Sequence, residues 1–141
     1  MKVVLDTNVL ISGIFFSGPP FEILKSWHEG NIHFVLSAEI IDEYTRVAKM
    51  LEDGFPSIDV NQILTLIAAN SEIIQAPRLS CQVCEDADDD KFLSCALASG
   101  SKTIISGDKH LLRVSGYRGI VVTTPRAFVQ QHLKKQGNRN T

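Results

Sequence analysis

The feature that most restricts the fold of this chain is the alternation of short apolar runs, rich in β-branched residues, with longer segments of helical periodicity. The runs are too short to be helices, and we predict strands at residues 2–5, 33–36, 72–75, 103–106 and 120–122. The segments between them place apolar residues three and four positions apart, which is typical of amphipathic helices. Strands that alternate with helices predict a parallel sheet with right-handed crossovers.

The predicted fold class is therefore α/β, with a central, twisted parallel sheet of about four to five strands and helices on both faces. The chain of 141 residues is long enough for one such domain to fold without disulfides or metal. We place this domain at residues 1–135 and a flexible C-terminal tail at 136–141. In sheets of this kind, ligands bind beyond the carboxyl ends of the strands, so functional residues are expected there.

Composition narrows the class of protein. With 44% hydrophobic and 21% charged residues, a disordered or low-complexity chain is excluded. Three cysteines are too few, and odd in number, for a secreted disulfide scaffold. No apolar run reaches the roughly 18 residues of a membrane span, and the apolar start lacks a basic leader. We therefore expect a cytoplasmic protein that does not enter a membrane.

Charge is distributed unevenly along the chain. Residues 1–100 hold 6 Lys and Arg against 15 Asp and Glu, whereas residues 101–141 hold 8 Lys and Arg against one Asp. Charge alone leaves two interpretations open: a solvated acidic loop with a basic tail, or an acidic centre beside a basic wall that holds a polyanion. Basic residues after the fourth predicted strand are candidates for phosphate contacts, namely Lys109, Arg113, Arg118 and Arg126.

Acidic side chains occur where the ligand edge of the sheet is predicted. Asp6 directly follows the first strand, and Asp108 follows the fourth with only Gly107 between. Either residue alone is more often a helix cap, but two of them on strands of one sheet favour a shared site. In the helix predicted after Ser37, Glu43 borders the apolar stripe and needs a partner if it points inward. A peripheral position on the surface is the alternative for this residue.

A second group of acids, Asp86, Asp88, Asp89 and Asp90, lies at a predicted helix start. The helix dipole explains one or two of them but not four, because like charges repel unless a cation lies among them. A site of carboxylates without Cys or His is typical of hard ions such as Mg²⁺ or Mn²⁺. Repulsion also predicts that Asp90→Asn leaves the metal-free protein as stable as wild type or slightly more stable.

Three segments together resemble the PIN-domain family of metal-dependent ribonucleases. Residues 3–12 (VVLDTNVLIS) resemble its opening, residues 86–93 (DADDDKFL) its third acidic motif and residues 104–112 (IISGDKHLL) its fourth. With Glu43 between them, the resemblance covers nearly the whole chain in the right order. The subgroup that the motifs resemble most is the toxin components of bacterial and archaeal toxin–antitoxin pairs.

This resemblance implies a metal-dependent endoribonuclease that cleaves RNA with a metal-activated water and leaves a 5′-phosphate. The catalytic, metal-binding acids that it implies are Asp6, Glu43, Asp90 and Asp108, around one or two Mg²⁺ or Mn²⁺ ions. Asn8 and Ser106 would orient carboxylates or water. The resemblance also implies two protein partners, an antitoxin that covers the site and a second copy of the chain in a homodimer.

The sequence departs from the family pattern at His110, where many relatives have another Asp. An imidazole is a weak ligand for Mg²⁺, so either a second metal site is weaker or the metal preference shifts towards Mn²⁺. The motif also leaves open whether Asp86, Asp88 or Asp89 shares the role of Asp90.

Other functions fit these residues less well. A non-catalytic or free-standing PIN-like module that binds or processes RNA would keep the fold and the basic wall, and the change at His110 favours it. A phosphohydrolase with Asp6 as nucleophile, of the haloacid dehalogenase type, needs an Asp where Asn8 stands. Cys81 and Cys84 have C-x-x-C spacing, but a structural zinc site needs two more ligands. Two free thiols in a loop are the simpler interpretation.

Overall fold

Five parallel strands form the centre of the fold, in the order β3-β2-β1-β4-β5. In the computed structural model, which describes residues 1–134, they span Lys2–Leu5 (β1), His33–Leu36 (β2), Glu72–Ile73 (β3), Thr103–Ile105 (β4) and Val121–Thr123 (β5). All four pairings between neighbouring strands are parallel. The predicted tail at 136–141 lies outside the described residues, as does the last residue of the domain predicted at 1–135.

Seven α-helices surround the sheet in the described part of the chain. They span Thr7–Phe15 (α1), Pro19–His28 (α2), Ala38–Leu51 (α3), Val60–Ala69 (α4), Asp90–Ser99 (α5), Lys109–Arg113 (α6) and Pro125–Phe128 (α7). Short 3-10 turns occur at Glu52–Gly54, Ala87–Asp89 and Tyr117–Gly119, and a π-helix at Val129–Lys134 follows α7. The alternation of strands and helices confirms the predicted α/β class. Across residues 1–134, no helix is long and apolar enough to cross a lipid bilayer.

The chain reverses its direction across the sheet at β1, which lies in the middle. It first proceeds from β1 to β2 and β3, and then returns to β4 and β5 on the other side of β1. Because right-handed crossovers that run in opposite directions place their helices on opposite faces, both faces of the sheet are covered, as predicted. The reversal also opens a crevice beyond the carboxyl ends of β1 and β4. There the pairing of Leu5 with Ile105 brings the next residues, Asp6 and Ser106, side by side.

Helix α3 is fixed to the end of β1 by a buried tyrosine. Ser37 begins the helix, as predicted, and its hydroxyl accepts a hydrogen bond from the Ile40 amide at 3.4 Å. The hydroxyl of Tyr44, which is only 2% exposed, donates to the carbonyl oxygen of Leu5 at 2.5 Å. This bond holds the preceding residue, Glu43, at the crevice.

Gly13 allows helices α1 and α2 to approach closely, and we expect Gly13→Ala to destabilise the fold. A Cβ atom at this position would lie 2.6 Å from Leu24 Cδ1 and 2.8 Å from the carbonyl oxygen of Pro20. Alanine favours a helix over glycine by about 1 kcal/mol. The clash with a backbone carbonyl outweighs that gain, so we expect a net loss of about 1–3 kcal/mol in the free energy of unfolding.

Urea denaturation measures this loss. The control is Gly107→Ala, because a Cβ atom on Gly107 meets no atom within 4 Å. A Gly13→Ala protein as stable as wild type would show that the two helices are not in close contact at this point.

Candidate metal centre

Asp6 lies at the end of β1 and is 5% exposed. It stands at the N-cap position of α1, but its side chain makes no capping hydrogen bond. Its Oδ2 instead accepts a hydrogen bond from Ser106 Oγ at 2.6 Å, and Ser106 Oγ in turn accepts one from the Asp108 amide at 2.9 Å. The hydroxyl of Ser106 therefore connects the two strand ends, and for Asp6 the capping interpretation is wrong.

The environment of Asp6 disfavours its ionised form. Burial is the largest cause that raises the pKa of Asp6, and the negative charges of Asp108 and Glu43 raise it further, while the hydrogen bond from Ser106 lowers it. Hydrogen bonds bring these acids to one place, because Ser106 joins Asp6 to the Asp108 amide and Thr7, the residue after Asp6, donates to Glu43. A cation in the crevice would compensate both the burial and the like charges.

Asp108 does act as a helix cap. Its Oδ1 accepts a hydrogen bond from the His110 amide at 2.9 Å, at the start of α6. Capping and metal binding are compatible here, because the cap occupies one oxygen and holds the carboxylate at the crevice, beside Asp6 and Asp89.

In the acidic run, Asp89 faces the crevice. Its Oδ2 is buried and has no hydrogen-bond partner, and the side chain is 15% exposed. Burial raises the pKa of Asp89 to about 7, helped by the charges of Asp108, Asp6 and Asp86. A buried, unpartnered carboxylate oxygen among like charges is a position that favours a cation.

Asp90 has a different environment from Asp89. Its Oδ1 accepts a hydrogen bond from the Cys84 amide at 2.7 Å, and its Oδ2 accepts one from the Val83 amide at 3.0 Å. Both oxygens therefore hold the preceding loop. The role of Asp90 as a metal ligand stays a prediction, and these hydrogen bonds do not favour it.

The other two acids of the run have partners of their own. Asp86 Oδ1 accepts a hydrogen bond from the Asp88 amide at 3.0 Å and caps the turn Ala87–Asp89. Asp88 Oδ2 lies 3.1 Å from Lys91 Nζ, and this ammonium group lowers the pKa of Asp88. The five acids between Glu85 and Asp90 thus divide into separate roles that their sequence does not distinguish.

Glu43 points inward, as predicted, and both of its oxygens are occupied. The hydroxyl of Thr7 donates to Oε2, and Lys91 Nζ lies 2.5 Å from Oε1. The exposed Arg46 is a more distant neighbour, with Nη2 at 3.8 Å from Oε1. The side chain of Glu43 is 14% exposed, so its charge is balanced mainly by the buried ammonium group of Lys91.

His110 completes a group that could hold a metal ion. One potential ligand atom from each of Asp89, Asp108 and His110 lies within 4.8 Å of the other two. Nδ1 of His110 is 3.9 Å from Asp89 Oδ2 and 3.8 Å from Asp108 Oδ1, and Nε2 is 3.4 Å from Glu85 Oε2. This donor set of carboxylates and one imidazole fits a divalent ion such as Mn²⁺.

Sequence reasoning assigned no role to two side chains of this site. Thr7, which lies between Asp6 and Asn8, is buried. Asn8, which the resemblance implied would orient carboxylates or water, is exposed. Lys91 follows three aspartates, and its position in the sequence indicated no role of its own, but the residue is buried. The only signal for Lys91 is the apolar pair Phe92 and Leu93 directly after it, which indicates that this end of α5 is buried.

None of the three cysteines belongs to this donor set. All three are free: Cys81 is exposed, and Cys84 and Cys95 are buried. Burial raises the pKa of both buried thiols to about 12. Such thiols stay protonated near neutral pH and are poor metal ligands or nucleophiles.

Comparison with known proteins gives three similarities. Residues 2–110 match a family model described as PIN domain. An uncharacterized protein of Methanocaldococcus jannaschii is 30% identical over 154 aligned positions, which cover 95% of this chain and 93% of the relative. The fold is similar to that of a chain in the crystal structure of VapBC2 from Rickettsia felis, in which VapBC2 is bound to a DNA fragment from its promoter. That similarity has a TM-score of 0.59 at 14% identity, covers 88% of this chain and 98% of that chain, and concerns the fold alone.

Proposed function

Because the chain belongs to the PIN domain family, we propose that it is a metal-dependent endoribonuclease and the toxin component of a toxin–antitoxin pair. The observation that carries the nuclease proposal is that Ser106 joins Asp6 to Asp108 at the crevice between β1 and β4, where a carboxylate oxygen of Asp89 lies within 4.8 Å of one of Asp108. The toxin proposal rests on the resemblance of the motifs to toxin components. A structure of similar fold, VapBC2 from Rickettsia felis bound to a DNA fragment from their promoter, is consistent with it.

We propose that Asp6, Asp89, Asp108 and His110 hold the divalent ion. Three carboxylates suit Mg²⁺ or Mn²⁺, and the imidazole of His110 favours Mn²⁺ over Mg²⁺. When bound, such an ion neutralises charge on the phosphodiester and activates water for attack on phosphorus. Glu43 adds negative charge beside these ligands, as its effect on the pKa of Asp6 indicates.

The other side chains of the site orient the proposed ligands. Ser106 donates to Asp6 and so keeps that carboxylate in its acceptor form, facing the crevice. The Asp90 carboxylate holds the loop at Val83 and Cys84, which precedes the turn that carries Asp89. A rigid surrounding of this kind keeps ligands in place without reorganisation during the reaction.

RNA is the substrate that we propose, and basic side chains near α6 are candidates to bind its phosphates. Lys109 is exposed and follows Asp108 directly, so it can reach a strand that lies over the crevice. Arg113 is exposed as well, but its Nη1 lies 3.1 Å from Glu85 Oε2. The same open crevice is the surface that an antitoxin would cover. The antitoxin, the homodimer and the cytoplasmic location stay predictions.

Metal removal tests the proposed activity. We expect the purified protein to cleave a single-stranded RNA with Mn²⁺ or Mg²⁺ and to lose cleavage in EDTA, with recovery when Mn²⁺ is added in excess. The products should carry a 5′-phosphate, which a 5′-phosphate-dependent exonuclease detects. Asp6→Asn protein, purified in the same way, controls for a contaminating nuclease.

Two outcomes would contradict this proposal. Cleavage that is undiminished in EDTA would exclude a divalent ion as the cofactor. Intact RNA under every metal condition would favour the non-catalytic binding module, which retains the fold without the reaction.

A further inference from the structure

Lys91 is a buried cation that the proposed reaction does not use. Its side chain is 7% exposed, and its Nζ lies 2.5 Å from Glu43 Oε1 and 3.1 Å from Asp88 Oδ2. Lysine is almost never buried unless it is paired, because desolvation of the ammonium group is costly. A lysine in this position therefore forms part of the charge arrangement of the site.

The positive charge of Lys91 is placed on one side of the acidic cluster. One carboxylate oxygen of Glu43 accepts a hydrogen bond from Lys91, and the other accepts one from Thr7. On the other side, Asp89 Oδ2 has no hydrogen-bond partner. Among the side chains of residues 1–133, no Lys or Arg nitrogen lies within 4.0 Å of a carboxylate oxygen of Asp6, Asp89 or Asp108. The Lys and Arg side chains that do form ion pairs there, all with other acids, are those of Lys2, Arg46, Lys91 and Arg113. Lysine therefore neutralises the cluster around Glu43, whereas the group that lies beside Asp89 and Asp108 is the imidazole of His110.

We propose that the ammonium group of Lys91 takes the place of a second metal ion beside Glu43. The chain then binds one divalent ion, on the side of Asp6, Asp89 and Asp108. An ammonium group repels a divalent ion at short distance, and it already occupies the Glu43 oxygen that such an ion would use. Lys91 acts through Glu43 and is a positioning residue. The inference rests on the metal site of the proposed function, but not on cleavage of RNA.

Binding of Mn²⁺ alone to the full chain tests this proposal, by calorimetry and by electron paramagnetic resonance of free Mn²⁺. Wild type should bind one Mn²⁺. Lys91→Met removes the cation at nearly constant side-chain length and frees Glu43. It should bind a second Mn²⁺, or bind the first at least about tenfold more tightly. Lys49→Met, at an exposed position on α3, is the control and should bind like wild type.

Two further variants keep the proposal testable if Lys91→Met fails to fold. Glu43→Gln leaves the ammonium group in excess and should weaken Mn²⁺ binding by about tenfold. The double variant Glu43→Gln/Lys91→Met removes both charges, and should return to one Mn²⁺ with an affinity within about threefold of wild type, as charge balance predicts.

Three results would overturn the proposal. They are two Mn²⁺ ions on wild type, unchanged binding in Lys91→Met, and a double variant that binds Mn²⁺ no better than Glu43→Gln. The outcome is independent of the nuclease proposal, because Mn²⁺ binding is measured without RNA. A wild-type protein that binds one Mn²⁺ but cleaves no RNA would support the role of Lys91 and contradict the nuclease.

Discussion

We expect Asp6→Asn and Asp89→Asn each to lower the rate of RNA cleavage by about 100-fold or more at saturating Mn²⁺, and Asp90→Asn to lower it by no more than about tenfold. The difference between the two neighbouring aspartates follows from their contacts. Asp89 has a buried oxygen without a partner in the crevice, and Asp90 uses both oxygens on the amides of Val83 and Cys84. Substitution of Asp89 removes a proposed ligand, and substitution of Asp90 loosens a loop.

Single-turnover cleavage of an end-labelled RNA measures these rates, with circular dichroism to show that each variant is folded. The two substitutions are matched, because both are Asp→Asn, on adjacent residues, and change the net charge equally. An Asp90→Asn protein as inactive as Asp89→Asn, with normal Mn²⁺ binding, would return the catalytic role to Asp90, as the sequence motif alone suggests.

The strands and the place of the site could be predicted because they depend on local patterns. The mostly apolar runs Lys2–Leu5 and His33–Leu36 are too short for helices, and each is followed by a residue type that commonly precedes a helix. Two acids directly after strands then lie at one edge of any parallel sheet. The exact ends were less predictable: the sequence predicts that β3 extends to residue 75, but it ends at Ile73, which pairs with the last residue of β2, Leu36.

The assignment among adjacent acids could not be predicted in the same way. Asp88 and Asp89 lie in the 3-10 turn and Asp90 begins α5, so a rotation of about 100–120° per residue directs the three side chains differently. Which direction meets the crevice depends on how α5 packs against β1, β2 and β4. The same packing decides that Lys91 reaches Glu43, which is 48 residues away in the chain. A local pattern carries no information on such distant contacts.

The same pair of aspartates is expected to affect stability in opposite directions. In the metal-free protein at pH 8, Asp89→Asn should raise the free energy of unfolding by on the order of 1–2 kcal/mol, because it removes a buried charge among like charges. Asp90→Asn should lower it by about 1–3 kcal/mol, because a side-chain amide offers one acceptor where the two loop amides use two. For Asp90 this expectation is opposite to the one that charge repulsion alone predicts.

The pH dependence distinguishes the two causes. In the folded protein the pKa of Asp89 is raised from 3.8 to about 7, so between these values the native state holds a proton that the unfolded chain releases. The contribution of Asp89 to the free energy of unfolding therefore falls as pH rises from about 4 to about 7, and it stays low above pH 7. The advantage of Asp89→Asn over wild type should be absent near pH 4 and fully present at pH 8, which urea denaturation across this range measures.

Addition of Mn²⁺ should then reverse the order of wild type and Asp89→Asn. An ion that binds only the folded state stabilises it in proportion to the logarithm of its concentration over its dissociation constant. Wild type retains Asp89 as a proposed ligand, so Mn²⁺ should raise its melting temperature more than that of Asp89→Asn. Asp90→Asn should gain about as much as wild type, because its proposed ligands are intact. Equal gains in all three proteins would show that Asp89 is not a ligand, and its raised pKa would then reflect only burial and repulsion.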